Sequence, residues 1–590
     1  MKPTLASTCP ARTELNRRVF LTRAGSAVAG LSLLKSGSMQ AADAKPTTVG
    51  LAGFAENREM AAMRREMRNR QRRIIYNDDG CGPLWAKDGG NTPEHFLRGP
   101  HSRMNAVLGT QVDSVFICSG ATHVLNHPSS VAESYADVVD RYGITVDGFD
   151  RFRDNMRALE ALGTDAIRLT VGFCKQNRKE VFYSFRVNDL HLAQGGSMNV
   201  ERSTWWRKNP HYWLGKPANL SEQEARKYPA TDPRCWGWAA LNFELPEVRA
   251  YLLSILDEVA NKYDLDGIEI DYLRAPLFFL PNLEQKPTTE AQRDILTEFQ
   301  RQVRLVALRA GQKRGRPMLA AARVPSTTAR CRYAGIDIPR WLQDDIVDVV
   351  SLGGGYVPLN AEWPELIRLG RSCGVPVYPV LSASGFRGPY GAIEMWRAAA
   401  SNAYHAGATG VYLFNHFPNK PSAQFKELGD PKTLATMDKV FVVENDPDGY
   451  WGHYICLLDS FAAKDARSGQ DSGVGVRPAG RLLPMPLDPA AENVVFLTIG
   501  DDLAKAAADK TLKTAVLRVQ LSSPDAVNSV TVHLNGEPLT VSAKDAVGGW
   551  LSFAPPASGF KTGQNRVTFK SPPGPSVEVR AVEAHVKYRQ

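Results

Sequence analysis

Cysteine is sparse in this chain and never grouped. Of eight cysteines, Cys9 lies near the start, and Cys81, Cys118, Cys174, Cys235, Cys331, Cys373 and Cys456 stand singly, without Cys-x-x-Cys or Cys/His ligand spacing. That argues against a disulfide framework or a zinc centre, while leaving room for one isolated disulfide. No apolar run reaches the roughly 18 residues that a membrane-crossing helix requires. No Gly-x-Gly-x-x-Gly follows the first strand pattern, so a dinucleotide-binding doubly wound sheet lacks its main support. Charge imbalance is also small. The formal charge is +9, and residues 45–590 carry 65 basic against 60 acidic side chains, or +5. That is mild for this length and makes no case for a nucleic-acid partner.

The N-terminus is the first segment with a recognisable pattern. Asn16-Arg17-Arg18-Val19-Phe20-Leu21-Thr22 precedes an apolar stretch from Ala24 to Leu34, and Ala42-Asp43-Ala44 offers small residues for cleavage. The segment resembles a twin-arginine export signal over residues 1–44. The resemblance implies the twin-arginine export machinery as a partner and a periplasmic or extracellular location. That pathway carries folded proteins, which suits free, buried thiols. Residues 45–72 form a basic lead-in. Arg58, Arg64, Arg65, Arg68, Arg70, Arg72 and Arg73 are interrupted by Glu59 and Glu66, with Met60, Met63 and Met67 at helical spacing. This reads as a solvated amphipathic helix entering the first strand rather than a surface for an anionic partner.

From residue 73 to 420, strand patterns alternate with helix patterns, as in a parallel α/β sheet. The expected strands are Arg73–Asp78, Ser114–Cys118, Val181–Asn188, Gly267–Leu273, Met318–Val324, Val347–Leu352, Val375–Leu381 and Gly410–Phe414. Helices are expected over Pro246–Lys262, Thr289–Gly311, Ala361–Cys373 and Ala392–Ala406, and the ambiguous Thr164–Lys179 is read as a further helix. Eight such units predict a TIM (β/α)8 barrel with insertions. Residues 421–485 read as a connector. Residues 486–590 read as a small all-β sandwich of carbohydrate-binding-module type, with strands Val494–Ile499, Ala515–Leu521, Val527–Leu534, Trp550–Ala554, Asn565–Phe569 and Val577–Tyr588 and a hairpin turn at Asn535-Gly536.

The chemistry concentrates in Asp266-Gly-Ile-Glu269-Ile-Asp271-Tyr-Leu-Arg274-Ala-Pro276. Side chains alternate along a strand, so Glu269 and Asp271 share one face and Ile268 and Ile270 the other. Isoleucines packed under helices would turn both acids into the barrel. Buried carboxylates are expensive, so two together ask for a function. The other strand ends supply Asp78, Arg186, Asn188, Asp189, His191, Arg323 and Asn415. A loop from Leu190 to Leu245 holds Trp205, Trp206, Trp213, Trp236 and Trp238, five of the chain's eleven tryptophans. Such rings stack on sugars or build a core inside the loop; Trp205, Trp206 and Trp236 are taken as candidates for the first role.

Three motifs carry a family resemblance. Asp-Gly-Ile-x-Ile-Asp-Tyr-x-Arg-x-Pro resembles the fourth-strand motif of the glycosyl-hydrolase-10-like (β/α)8 barrels. Leu245-Pro-Glu247-Val-Arg249 resembles their lead-in helix, and Phe185-Arg186-Val-Asn188-Asp189-x-His191 resembles a third strand of some bacterial members. The resemblance implies action on polysaccharides, with Asp271 as the catalytic carboxylate and Arg274, Arg186, Asn188 and Asp189 around it. Chitinase-type barrels place a glutamate where this chain has Leu273, which disfavours their N-acetyl-assisted route. The expected pair is Asp271 as nucleophile or base with Glu269 as proton donor, and Asp78, Asp189 or Glu244 remain alternative partners for Asp271. The expected function is therefore an exported glycoside hydrolase without cofactor or metal, with a carbohydrate as its substrate. A non-catalytic carbohydrate-binding barrel is the alternative. A metal-assisted hydrolase using Asp78, Asp79, His95 or His123 lacks ligand spacing.

Overall fold

The computed structural model describes residues 56–589 apart from 88–89, 145–147, 192–198, 216–236, 285, 354–362, 383–391, 444–482, 524–527, 546, 572 and 575. Eight parallel strands close into a barrel. They are β1 (Ile74–Asp78), β2 (Val112–Cys118), β3 (Glu180–Arg186), β4 (Gly267–Asp271), β5 (Leu319–Val324), β6 (Val349–Leu352), β7 (Val377–Ser382) and β8 (Val411–Phe414). Each expected strand is present, with ends displaced by a few residues. Each strand pairs with its sequence neighbours, and β1 closes on β8 through Ile74↔Val411.

Register decides which side chains enter the barrel. Gly267, Glu269 and Asp271 lie beside Phe182, Ser184 and Arg186 on β3 and beside Leu319, Ala321 and Arg323 on β5. Phe116, Phe182 and Tyr412 fill the centre, with the two phenylalanine rings stacked at 4.3 Å and Tyr412 edge-on at 5.6 Å. Gly267 is required there, because a Cβ would meet the Phe182 ring at 2.1 Å. The opposite face of β4, Ile268 and Ile270, packs into the outer core beneath the helices.

Helix α1 (Arg58–Asn69) starts on an Asn57 cap whose side chain accepts from the Met60 amide. It corrects the expectation of a solvated lead-in. Arg64, Arg68 and Arg72 are buried, and they meet Asp345, Asp348 and Glu180 at the N-terminal end of the barrel. Helix α2 (Ala166–Gln176) confirms the helical reading of that ambiguous segment. Helix α3 (Pro246–Lys262) carries proline at its first position, where no backbone donor is lost. Helix α4 (Glu290–Arg314) runs from a Thr289/Gln292 capping box to a left-handed Gly315.

Antiparallel sheets follow the barrel. One orders Lys439–Val442, Glu578–Tyr588, Leu512–Leu521, Trp550–Phe553 and Val541–Asp545, and the other orders Asn493–Ile499, Gly563–Lys570, Thr531–Leu534 and Glu537–Pro538. Their facing residues form a separate apolar core. Asn535 and Gly536 both have positive φ, as a two-residue hairpin turn requires. Lys439–Val442, part of the expected connector, is an edge strand of the first sheet. No disulfide joins the five described cysteines, Cys81, Cys118, Cys174, Cys331 and Cys373. No described helix is long and apolar enough to cross a membrane.

Candidate active site

Glu269 sits inside the barrel with no exposed surface. Its Oε2 accepts hydrogen bonds from Ser184 on β3 at 3.0 Å and from Tyr412 on β8 at 2.9 Å, so the strands on two sides of the lumen converge on one oxygen. Its Oε1 has no hydrogen-bond partner. Burial, then the nearby charge of Asp271, pushes this carboxyl up to about 8, despite the opposing pull of Arg323. Glu269 is therefore largely protonated at neutral pH, which is the state a general acid needs.

Asp271 lies one interior position further along the strand and is almost fully buried. Its Oδ1 accepts from the Leu273 and Arg274 amides, each at 3.0 Å, which fixes the turn leaving β4. Its Oδ2 accepts from Arg323 Nη2 at 2.7 Å. Arg323 is buried too, with its guanidinium 4.2 Å from the centre of the Phe414 ring and its Nε unbonded. Next to it on β6, Ser351 is buried with an unbonded hydroxyl, and on β1 the inward Asn77 has an unbonded Oδ1. Four strands thus direct buried polar atoms without partners into the upper barrel.

A second cluster forms where β3 leaves the barrel. Arg186 donates to Asp79 at 2.5 Å and to Asp189 at 3.2 Å. Asp189 also bonds His191 Nδ1 and lies 3.6 Å from Arg274. Arg274 donates to His191 Nε2 at 3.2 Å. A guanidinium only donates, so Nε2 accepts and Nδ1 carries the proton given to Asp189. Burial works against the Asp189 charge, but the hydrogen bond from His191 and the Arg274 and Arg186 guanidiniums outweigh it and hold the carboxyl well below the usual range. Asp189, His191 and Glu201 place ligand atoms within 4.8 Å of one another. Two arginines already neutralise this group, so its geometry is that of an ion-pair network.

Other expected site residues have different places. Asn188 is a structural tie, donating to Leu277 O at 2.7 Å and accepting from the Leu241 amide at 3.1 Å. Asp78 shares the outward face of β1 with Tyr76, whose hydroxyl it accepts at 2.7 Å, so it does not enter the lumen; Asp79 reaches Arg186 instead. Glu244 is exposed and accepts from Gln292 on α4. Asn415 follows β8 with φ of +53°, half-buried. Trp206 stacks on Trp213 inside the loop at 4.1 Å, and Trp205 stacks on Tyr251 of α3 at 4.0 Å, so these rings pack on protein rather than form an open platform. Trp236 lies outside the described residues. Sequence reasoning missed Tyr412 and Ser351, although inward parity on β6 and β8 was a usable signal for both; parity on β3 put Ser184 on the inward face with Arg186 but gave it no role.

No family model matches the chain, and no curated relative matches it either. Similarity appears among solved structures. The glycoside hydrolase domain of PgaB from Bordetella bronchiseptica aligns at 13% identity over 58% of this chain and 94% of that one, with a TM-score of 0.33. An alpha-L-fucosidase from Paenibacillus thiaminolyticus aligns at 14% identity over 62% of this chain and 49% of that one, also at 0.33. The chitinase ChiW from Paenibacillus sp. aligns at 11% identity over 86% of this chain and 53% of that one, at 0.34. For the last two, this chain spans about half of the other protein's length.

Proposed function

We infer that the protein is an exported glycoside hydrolase that cleaves a polysaccharide or glycoconjugate by carboxylate chemistry. The observation that carries this reading is the buried Glu269, one oxygen unbonded, beside Asp271, at the end of the barrel where such folds place their chemistry. Unbonded polar atoms on Arg323, Ser351 and Asn77 supply further contacts for a hydroxylated ligand. Glu269 protonates the leaving oxygen. Asp271, charge-paired with Arg323, attacks the anomeric carbon or activates a water. Arg186, Asp189, His191 and Arg274 hold the rim of the site in one arrangement. The motif resemblance to glycosyl-hydrolase-10-like barrels supports the same assignment, and the Arg17-Arg18 segment supports export by the twin-arginine route.

One observation favours a second reading. Both Asp271 oxygens are already engaged, by two backbone amides and Arg323, as a purely structural acid would be. A non-catalytic carbohydrate-binding barrel is consistent with that. Product release from a panel of polysaccharides and aryl glycosides separates the two. Turnover that Asp271→Asn and Glu269→Gln each lower by about a thousandfold or more supports the hydrolase. Saturable glycan binding without turnover, unchanged in both variants, supports the binding protein.

A further inference from the structure

We propose that Tyr412 and Ser184 are positioning residues that select which oxygen of Glu269 carries its proton. Both hydroxyls point at Oε2, at 2.9 and 3.0 Å, and neither side-chain hydroxyl has another hydrogen-bond partner among the described residues. Two donors saturate Oε2 as an acceptor. A proton on Oε2 would force one hydroxyl to give up its bond to that oxygen, whereas a proton on Oε1 leaves both bonds in place. On this proposal the acid proton lies on Oε1, whose lack of a protein partner leaves it for an incoming glycosidic oxygen.

This deepens the hydrolase reading and rests on it for its catalytic meaning. In the acid step, the Oε1–H bond breaks and the proton passes to the glycosidic oxygen. That oxygen keeps the electron pair of the breaking bond to the anomeric carbon. The carbon is met by Asp271, or by a water whose proton Asp271 takes. Glu269 becomes a carboxylate whose charge is already met by two hydroxyl donors at Oε2. The charged and titratable groups facing it are Asp271 on its own strand, Arg323 on β5 and Tyr412 on β8. Burial and Asp271 resist the new charge, while Arg323 and the two hydrogen bonds favour it. The hydroxyls thus serve twice: they aim the proton and then hold the charge left behind.

Infrared difference spectroscopy of the intact protein tests this without substrate, on either side of about pH 8 where Glu269 titrates. The parent should show a protonated-carboxyl C=O band, absent in Glu269→Gln, at the frequency of a carbonyl accepting hydrogen bonds. Tyr412→Phe and Ser184→Ala should each move that band to higher wavenumber. Each should also raise the titration midpoint by about 0.5 to 1 unit, the excess of a hydrogen bond to the ionised form over the same bond to the protonated form. A band at the unbonded frequency that neither substitution moves would place the proton on Oε2 and overturn the proposal. So would the absence of any Glu269-dependent band at neutral pH. Because the readout needs no turnover, a protein with the expected band and no activity on any glycan would refute the hydrolase reading alone. Melting temperatures of both variants establish that each is folded.

Discussion

At the N-terminal end of the barrel, Arg72 grips both oxygens of Glu180 at 2.6 Å and gives its remaining donors to the carbonyls of Met67, Arg68 and Arg70. Arg68 and Arg304 close on Asp348 in the same way. Two guanidinium nitrogens there lack a hydrogen bond, Arg64 Nε and Arg304 Nη2, and both face Glu56, at 3.4 and 4.0 Å. At the C-terminal end, Glu269, Arg323, Ser351 and Asn77 are equally buried, yet each keeps an atom with no partner. Buried charge is tolerated when every donor and acceptor is used. Unbonded nitrogens that still face an acid at one end, and unbonded atoms on four separate strands at the other, separate a structural plug from a site built to receive something.

The largest expected effect breaks the plug. Arg72→Met strands Glu180 in the core and should lower the unfolding free energy by about 3–5 kcal/mol, read from urea titration. Adding Glu180→Met should restore most of it, since removing both charges leaves nothing unpaired. A single variant as stable as the parent would mean that the ion pair is not buried as described.

A smaller effect, opposite in sign, is expected at the site. The Glu269 carboxyl ionises near 4.5 when exposed and near 8 in the folded protein. The unfolded chain thus sheds this proton first, and the native state loses stability as pH rises from the lower value to the higher. Glu269→Gln removes that loss. Relative to the parent it should gain roughly 2–4 kcal/mol between pH 5 and pH 8, compared by urea unfolding at the two pH values. A parent and variant that fall together with pH would show that Glu269 is ionised throughout.

The smallest effect sharpens the boundary of the plug. Arg65 on α1 and Arg70 just past its end are exposed beside the buried Arg64, Arg68 and Arg72. Arg65→Ala and Arg70→Ala should each change stability by no more than about 0.5 kcal/mol. A larger loss from either would extend the network beyond the residues that touch acids.

The sequence showed some of this and concealed the rest for physical reasons. The placement of Glu269, Asp271, Ser184 and Arg186 follows from strand alternation, because Ile268 and Ile270 mark the outer face of β4 and Tyr183 and Phe185 that of β3. β1 gives no such marker. Ile74, Ile75 and Tyr76 are buried on both faces, so the outward turn of Asp78 was not readable. The Tyr412–Glu269 bond joins residues 143 apart in sequence and exists only because the barrel closes. Helical periodicity grouped the arginines of α1 but did not show that their face meets Asp345 and Asp348, which arrive from the far side of the barrel sequence. The tryptophan-rich loop was legible as a cluster. Whether its rings face a ligand or one another depends on packing that composition does not encode.

The most direct test sets one acid from each end side by side: Glu269→Gln and Glu180→Gln, each assayed for stability near pH 8 and for turnover per folded molecule on a glycan the panel identifies. Glu269→Gln is predicted to lose turnover while holding or gaining stability, and Glu180→Gln to lose stability while keeping turnover. A Glu269→Gln protein that turns over normally and is destabilised as Glu180→Gln is would make the two ends alike and remove the basis for a catalytic site in this barrel.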